Sequence, residues 1–192
     1  MNLPTFNTSH PPRVSVIGLG NVFLGDDGLG PLAVETFRCE YECGSEVEVV
    51  DLGTPGMDLA PYLYERSMVI VVDAVHSDAF QGALSVFCED DFVSDRARLR
   101  ISGHDPGLWD ALTHLRLAGH APSELIVVGV TPASCIFAEG ISPIILRIAS
   151  DASATIAGLL LDRNVACRLR TTCAKPNLWW LPLSQVECAT SG

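Results

Sequence analysis

The chain reads as short apolar runs separated by polar turns rich in glycine and proline. Val14–Gly18 is the first run and predicts a strand ending in glycine. Pro31 suits an early helical turn, where its missing N–H costs nothing. Ala33, Val34, Phe37 and Tyr41 follow it at helical spacing. Glu46–Asp51 alternates apolar and polar residues and predicts a second strand ending in an acid. Leu52–Gly56 is a turn, and Asp58 is placed to cap a helix with Pro61 in its first turn. Met68–Asp73 is apolar up to its final acid, as expected of a strand buried on both faces. Ala83–Phe87 predicts a fourth strand. The intervening Ala74–Gly82 is too short for a usual parallel crossover, so this strand should run antiparallel at a sheet edge. Residues 89–105 are polar and irregular. Pro106 opens a helix carrying Leu108, Leu112 and Leu115 on one side, and Leu125–Val130 is the last buried strand. Ser142-Pro143 starts a long helix with Ile145, Ile148, Ala152, Ile156 and Leu159 on its inner stripe.

The order β-α-β-α-β-β-α-β-α predicts an α/β protein, a three-layer α/β/α sandwich around a mostly parallel sheet. Residues 1–12 read as a flexible leader ending in Pro11-Pro12, and 13–162 as one domain. Residues 163–192 form a tail without clear period, holding three cysteines and Trp179-Trp180. The tail's expected place is against the domain.

Charge narrows the partners. A net charge of −11 and the lack of any Lys/Arg-rich run exclude nucleic acid as an expected partner and favour one with a basic segment. The seven cysteines include no Cys-x-x-Cys pair, and the start of the chain lacks the basic and apolar regions of a signal peptide. These features predict a reduced, cytoplasmic protein. The apolar runs fall short of a membrane span.

The candidate chemistry lies at strand ends. The first strand runs into Gly18-Leu-Gly20-Asn21-Val-Phe-Leu-Gly25-Asp26-Asp27-Gly28-Leu-Gly30, the third ends in Asp73, and the segment after the fourth carries His104. In a mostly parallel sheet these segments should meet at the carboxyl rim, where such sheets bind ligands. Asp27, Asp73 and His104 would form a divalent-metal site with open positions. Each has a plainer reading: Asp26 or Asp27 as a cap of the next helix, Asp73 as a turn residue, His104 as a group packed near Pro106. His76 is a rival ligand, three residues beyond Asp73. A dinucleotide fingerprint fails, because Phe23 stands where its third glycine belongs. A Walker loop and a Gly-x-Ser-x-Gly elbow are also missing, and Cys135 has no activating partner nearby in sequence.

The ordered set of motifs resembles the hydrogenase maturation endopeptidases. It comprises the Gly18–Gly30 motif, Gly53-Thr54-Pro55-Gly56-Met57, Val69–Ala74, the His104 segment with Gly107-Leu108, and Val127–Pro132. The resemblance covers about residues 13–160 and implies a twisted five-stranded sheet between helices, with one edge strand antiparallel. It implies removal of a C-terminal extension from the precursor of a [NiFe]-hydrogenase large subunit after nickel insertion. The nickel is carried by that substrate, and no permanently bound cofactor is expected. The family's metal-contact positions fall on Asp27, Asp73 and His104. Some relatives have Glu in place of Asp27, and no metal role falls on Asp26. Water is the expected nucleophile, since a bound metal lowers its pKa to about 7; Asp27 or Asp73 as general base is the alternative. Two other readings compete: an independent zinc metallohydrolase, and a nickel-sensing chaperone without catalysis.

Overall fold

A computed structural model describes residues 13–94, 100–101, 105–172, 176–182 and 185. Strands β1 (Val14–Leu19), β3 (Val47–Gly53), β4 (Met68–His76), β5 (Leu84–Cys88) and β7 (Leu125–Val130) form the main sheet in the order β3-β1-β4-β7-β5. The first four in that order are parallel, and β5 closes the edge antiparallel to β7, with Leu84 opposite Val130. The expected sheet is therefore present, including the reversed edge strand. The nine-residue β4 is the centre, and its burial is continuous from Met68 to Val75. Such a strand must be apolar on both faces because helices cover both.

The alternation of side chains along β4 defines two cores. Val69, Val71 and Val75 pack under Leu59, Leu63, Phe92, Leu108 and Leu112. These residues come from α2 (Ala60–Leu63) with its preceding 3-10 turn, from α3 (Glu89–Ser94) and from α4 (Asp105–Ala118). Met68, Ile70 and Val72 face the other way, onto Ala33, Val34 and Phe37 of α1 (Leu29–Glu40) and Ala152, Ile156 and Leu160 of α5 (Pro143–Asp162). Helices thus lie on both faces, giving the three layers. By length and composition α5 is apolar enough to cross a membrane, but its Ala152, Ile156 and Leu160 stripe is packed against the sheet.

Several details depart from the sequence expectation. β4 does not stop at Asp73 but continues to His76, where β6 (Arg100–Ile101) pairs antiparallel with it. Asp58 caps no helix: it sits inside the 3-10 turn Gly56–Leu59, and no side chain caps α2. β2 (Tyr41–Cys43) and β8 (Cys167–Leu169) form a separate antiparallel ribbon, with Cys43 opposite Cys167. Both thiols are free.

Part of the tail has a firm seat. Leu178 and Leu181 are 4% and 9% exposed in a third core, with Leu29, Leu32, Ile141, Ile145 and Leu146. Asn177 donates its backbone N–H to Glu35 on α1 at 2.9 Å, and Gln185 donates its amide to the Ile141 carbonyl at 3.1 Å. The tail expectation is met for residues 176–182 and 185.

Candidate functional site

The site is built where β1 ends. Leaving the strand, the chain makes a loop, then a 3-10 turn over Gly25–Gly28, then α1. Two glycines let this turn sit directly on the sheet. Gly20 has φ +138, and a Cβ there would lie 1.8 Å from the Asp27 carbonyl oxygen. A Cβ on Gly30 would lie 2.0 Å from the Leu19 carbonyl and 2.5 Å from that of Val72. Main chain therefore packs on main chain, and the acidic turn is pressed against β4 immediately before Asp73.

Asp26 and Asp27 are adjacent in sequence but have separate partners. Both are buried, at 1% and 3% exposure. Asp26 Oδ2 accepts the N–H groups of Ala133 and Ser134 at 2.7 and 3.2 Å, and the Ser142 hydroxyl at 3.0 Å. Its Oδ1 accepts the Ser142 N–H at 2.7 Å, and its own N–H donates to the Ser134 carbonyl at 2.8 Å. Asp26 does not cap the helix that follows it, which has no side-chain cap. It binds instead the loop after β7 and the residue that opens α5. Its carboxylate is fully used as a structural tie.

Asp27 Oδ2 accepts the Asn21 N–H at 2.8 Å. Asn21 itself is fixed by an Asx turn, its Oδ1 accepting the Phe23 N–H at 3.0 Å. Asp73 is fully buried within β4, on the face shared with Val69, Val71 and Val75. Its Oδ1 accepts the Ala74 N–H at 2.7 Å. Its position opposite Gly129 leaves no neighbouring side chain from β7 at that pair.

Cys135 reports how closely these acids gather. Its pKa is pushed up to about 11, first by burial and then by the charges of Asp27, Asp26 and Asp73. The Asp27 backbone N–H, which donates to the Leu24 carbonyl at 3.2 Å, lies near its thiol and opposes the upward shift. One sulfur thus sits in the field of all three carboxylates. The same shift keeps it a thiol at neutral pH, so it is no nucleophile there.

His104 lies outside the described residues. The elements on either side of it border the rim: Ile101 pairs with Val75 near the end of β4, and Gly107 at the start of α4 packs on Gly56 in the turn after β3. His76, the rival ligand, is exposed at the end of β4. Among the described residues, no group of three His, Cys, Asp or Glu side chains is arranged to hold a metal ion. The structure brings Asp27 and Asp73 to one place, and the third expected ligand is outside its description.

Sequence reasoning missed two groups that shape the site. Asn21 stood inside the glycine motif, and its backbone donor gave no side-chain signal. Ser142 is 116 residues from Asp26, and nothing local announces that bond.

A sequence profile for hydrogenase maturation proteases matches residues 31–158. The hydrogenase 2 maturation protease of Escherichia coli is 31% identical over 153 residues, which is 80% of this chain and 93% of that protein. The hydrogenase expression/formation protein HupD of Rhizobium leguminosarum is 32% identical over 121 residues, and the match spans only 60% of its length. Among solved structures, the hydrogenase maturating endopeptidase HybD from E. coli superposes with a TM-score of 0.76 at 30% identity, over 83% of this chain and 98% of that one.

Proposed function

Because the chain belongs to the hydrogenase maturation protease family, we propose that it is the endopeptidase that trims the C-terminal extension from the precursor of a [NiFe]-hydrogenase large subunit once nickel is in place. In this reading Asp27, Asp73 and His104 recognise the nickel that the substrate carries. The observation that supports it is the burial of two carboxylates from different parts of the chain within the electrostatic reach of one thiol. Asp27 comes from the turn after β1 and Asp73 from β4, and both act on the Cys135 sulfur.

Two such charges are costly to bury together unless a cation or strong donors meet them. A metal ion delivered with the substrate would offset that cost, which couples docking to the presence of nickel. The ion would supply Lewis-acid polarisation of the scissile carbonyl. The chain's own residues bind and orient. The Asn21 N–H aims the Asp27 carboxylate, the Ala74 N–H holds one oxygen of Asp73, and the side chains of the two main cores close the sheet beneath. In this reading Asp27 or Asp73 takes a proton from an attacking water. In this reading the protein works in the cytoplasm and relies on the nickel of its substrate rather than on a cofactor of its own.

Incubation with nickel-loaded and nickel-free precursor, followed by mass spectrometry of the released C-terminal fragment, tests this reading. Cleavage of the loaded form alone is the expected result. Equal cleavage of both forms would refute recognition of nickel.

A further inference from the structure

We propose that Cys43 and Cys167 form a redox modification site, which a small-molecule disulfide converts to an intramolecular cystine that fastens the tail to the domain. The inference is independent of the function proposed above. It uses two residues to which that chemistry gives no part.

The backbone sets the pair up. Cys43 ends β2 and Cys167 begins β8, and they stand opposite each other in the antiparallel ribbon. In such a ladder, pairs that exchange hydrogen bonds alternate with pairs that do not, and side chains come closest at the second kind. The Gly44 N–H donates to the Ala166 carbonyl at 3.2 Å, and the Arg170 N–H donates to the Glu40 carbonyl at 2.7 Å. Both bonded pairs lie an odd number of steps from the two cysteines, which makes the cysteine pair one of the non-bonded kind. The Cα separation of such pairs, about 4.5 Å, falls within the range of about 4.4–6.8 Å that a cystine spans. Joining the sulfurs then takes side-chain rotation, with no shift of either strand.

The thiols are also reachable. Both are free and half-buried. The pair packs on the core under α1 and α5, and it also lines a cavity of about 420 Å3 together with Gly44, Leu161, Ala166 and Arg168. That volume admits a small disulfide.

The two cysteines differ in their readiness to react. Burial raises both. The contact between them raises Cys43 further, to about 12, and opposes the rise at Cys167. Cys167 therefore ionises first, and the thiolate is the attacking form. It displaces one thiolate from the reagent and leaves a mixed disulfide on Cys167. Cys43 then loses its proton and attacks the Cys167 sulfur, and the second reagent thiolate leaves. The two departing thiolates take up the two protons. Two cysteines are oxidised to one cystine, and one reagent disulfide is reduced to two thiols.

The new bond closes a loop of more than a hundred residues that holds α5 and every main-sheet strand except β1. It also fixes the point from which the chain runs on to Leu178 and Leu181 in the third core. In a reducing compartment such a bond forms only under oxidation, so it is a reversible modification.

The test incubates the full chain with bis(2-hydroxyethyl) disulfide, an uncharged reagent that a chain of net charge −11 does not repel. Remaining thiols are blocked with N-ethylmaleimide, and the unreduced chain is mapped by trypsin and mass spectrometry. Cleavage at arginine places Cys39 and Cys43 in residues 39–66 and Cys167 alone in residues 164–168. These two fragments should appear linked through Cys43, and dithiothreitol should part them. The linked chain should melt roughly 5–15 °C above the reduced one. Cys43→Ser, treated alike, should stop at the mixed disulfide on Cys167, with Tm within about 2 °C of its reduced form. Cys167→Ser should leave Cys43 without a partner and remove the same gain in Tm. Residues 164–168 left unlinked, or joined to any cysteine other than Cys43, overturn the pair as a site. A correct link with no rise in Tm overturns the fastening of the tail. If either serine variant fails to fold, the wild-type map and melting curve decide.

Discussion

Replacing Asp26 with alanine should destabilise the fold while Asp27 remains in place. The side chain is 1% exposed and accepts four hydrogen bonds, from the N–H groups of Ala133, Ser134 and Ser142 and from the Ser142 hydroxyl. Truncation removes every acceptor at once. Each buried donor left unmade costs about 1–3 kcal/mol. The Ser142 hydroxyl can rotate to another partner, and the 3.2 Å bond from Ser134 is the weakest of the backbone set. The Ala133 and Ser142 amides therefore dominate, and the expected loss is about 3–5 kcal/mol. In a chain of this size that lowers Tm by roughly 6–20 °C. Urea unfolding followed by far-ultraviolet circular dichroism measures it. A variant within about 1 kcal/mol of wild type would refute the structural assignment of this carboxylate. Intact stability with lost cleavage would go further and make Asp26 a chemical group.

Other changes separate chemistry from folding. Asp27→Asn keeps the acceptor for the Asn21 N–H but loses the charge, so precursor processing should fall at least ~100-fold with stability within about 1 kcal/mol, read by mass spectrometry and a melting curve. Leu178→Ala should cost about 2–5 kcal/mol in urea unfolding, because the residue fills the third core; a cost near zero would mean the tail is not seated there. Stability should also fall as pH rises above about 9. Burial first, then the neighbouring Cys167, pushes the Cys43 thiol up to about 12, and burial with the three acids pushes Cys135 up to about 11. A raised thiol pKa stabilises the fold below the unfolded value near 9 and is lost as pH climbs through the folded values. Urea midpoints between pH 8 and pH 11 should decline in wild type and decline less in Cys43→Ala; matching slopes would refute this origin.

The sheet was legible because its central strands are buried on both faces. Met68–Val72 and Leu125–Val130 admit no polar residue, and such runs are hard to read as anything but strands. The reversed edge was legible from chain length alone. What escaped depends on distant partners. β4 runs on past Asp73 because β6 pairs with Val75 and His76, and no local pattern announces that a strand continues through an acid. The ribbon of β2 and β8 joins residues more than a hundred positions apart, as do the bonds of Asp26. For the candidate site, motif and strand position pointed to Asp27 and Asp73, and the structure buries both within the electrostatic reach of Cys135. The division of labour within the Asp26-Asp27 pair was not readable, because it is set by which loop of the folded chain lies against each carboxylate.

The contact of Gly30 with the Leu19 and Val72 carbonyls has a consequence for how this site can change. Backbone atoms already touch there, so repacking the surrounding aliphatic residues cannot draw the first-strand turn nearer to Asp73 or let it drift away. Under the proposed nickel recognition, the fit to the ion is then tuned by the length of the Asp27 side chain itself. An exchange of Asp27 for glutamate, one methylene longer, becomes the natural adjustment, with the scaffold serving as a fixed ruler.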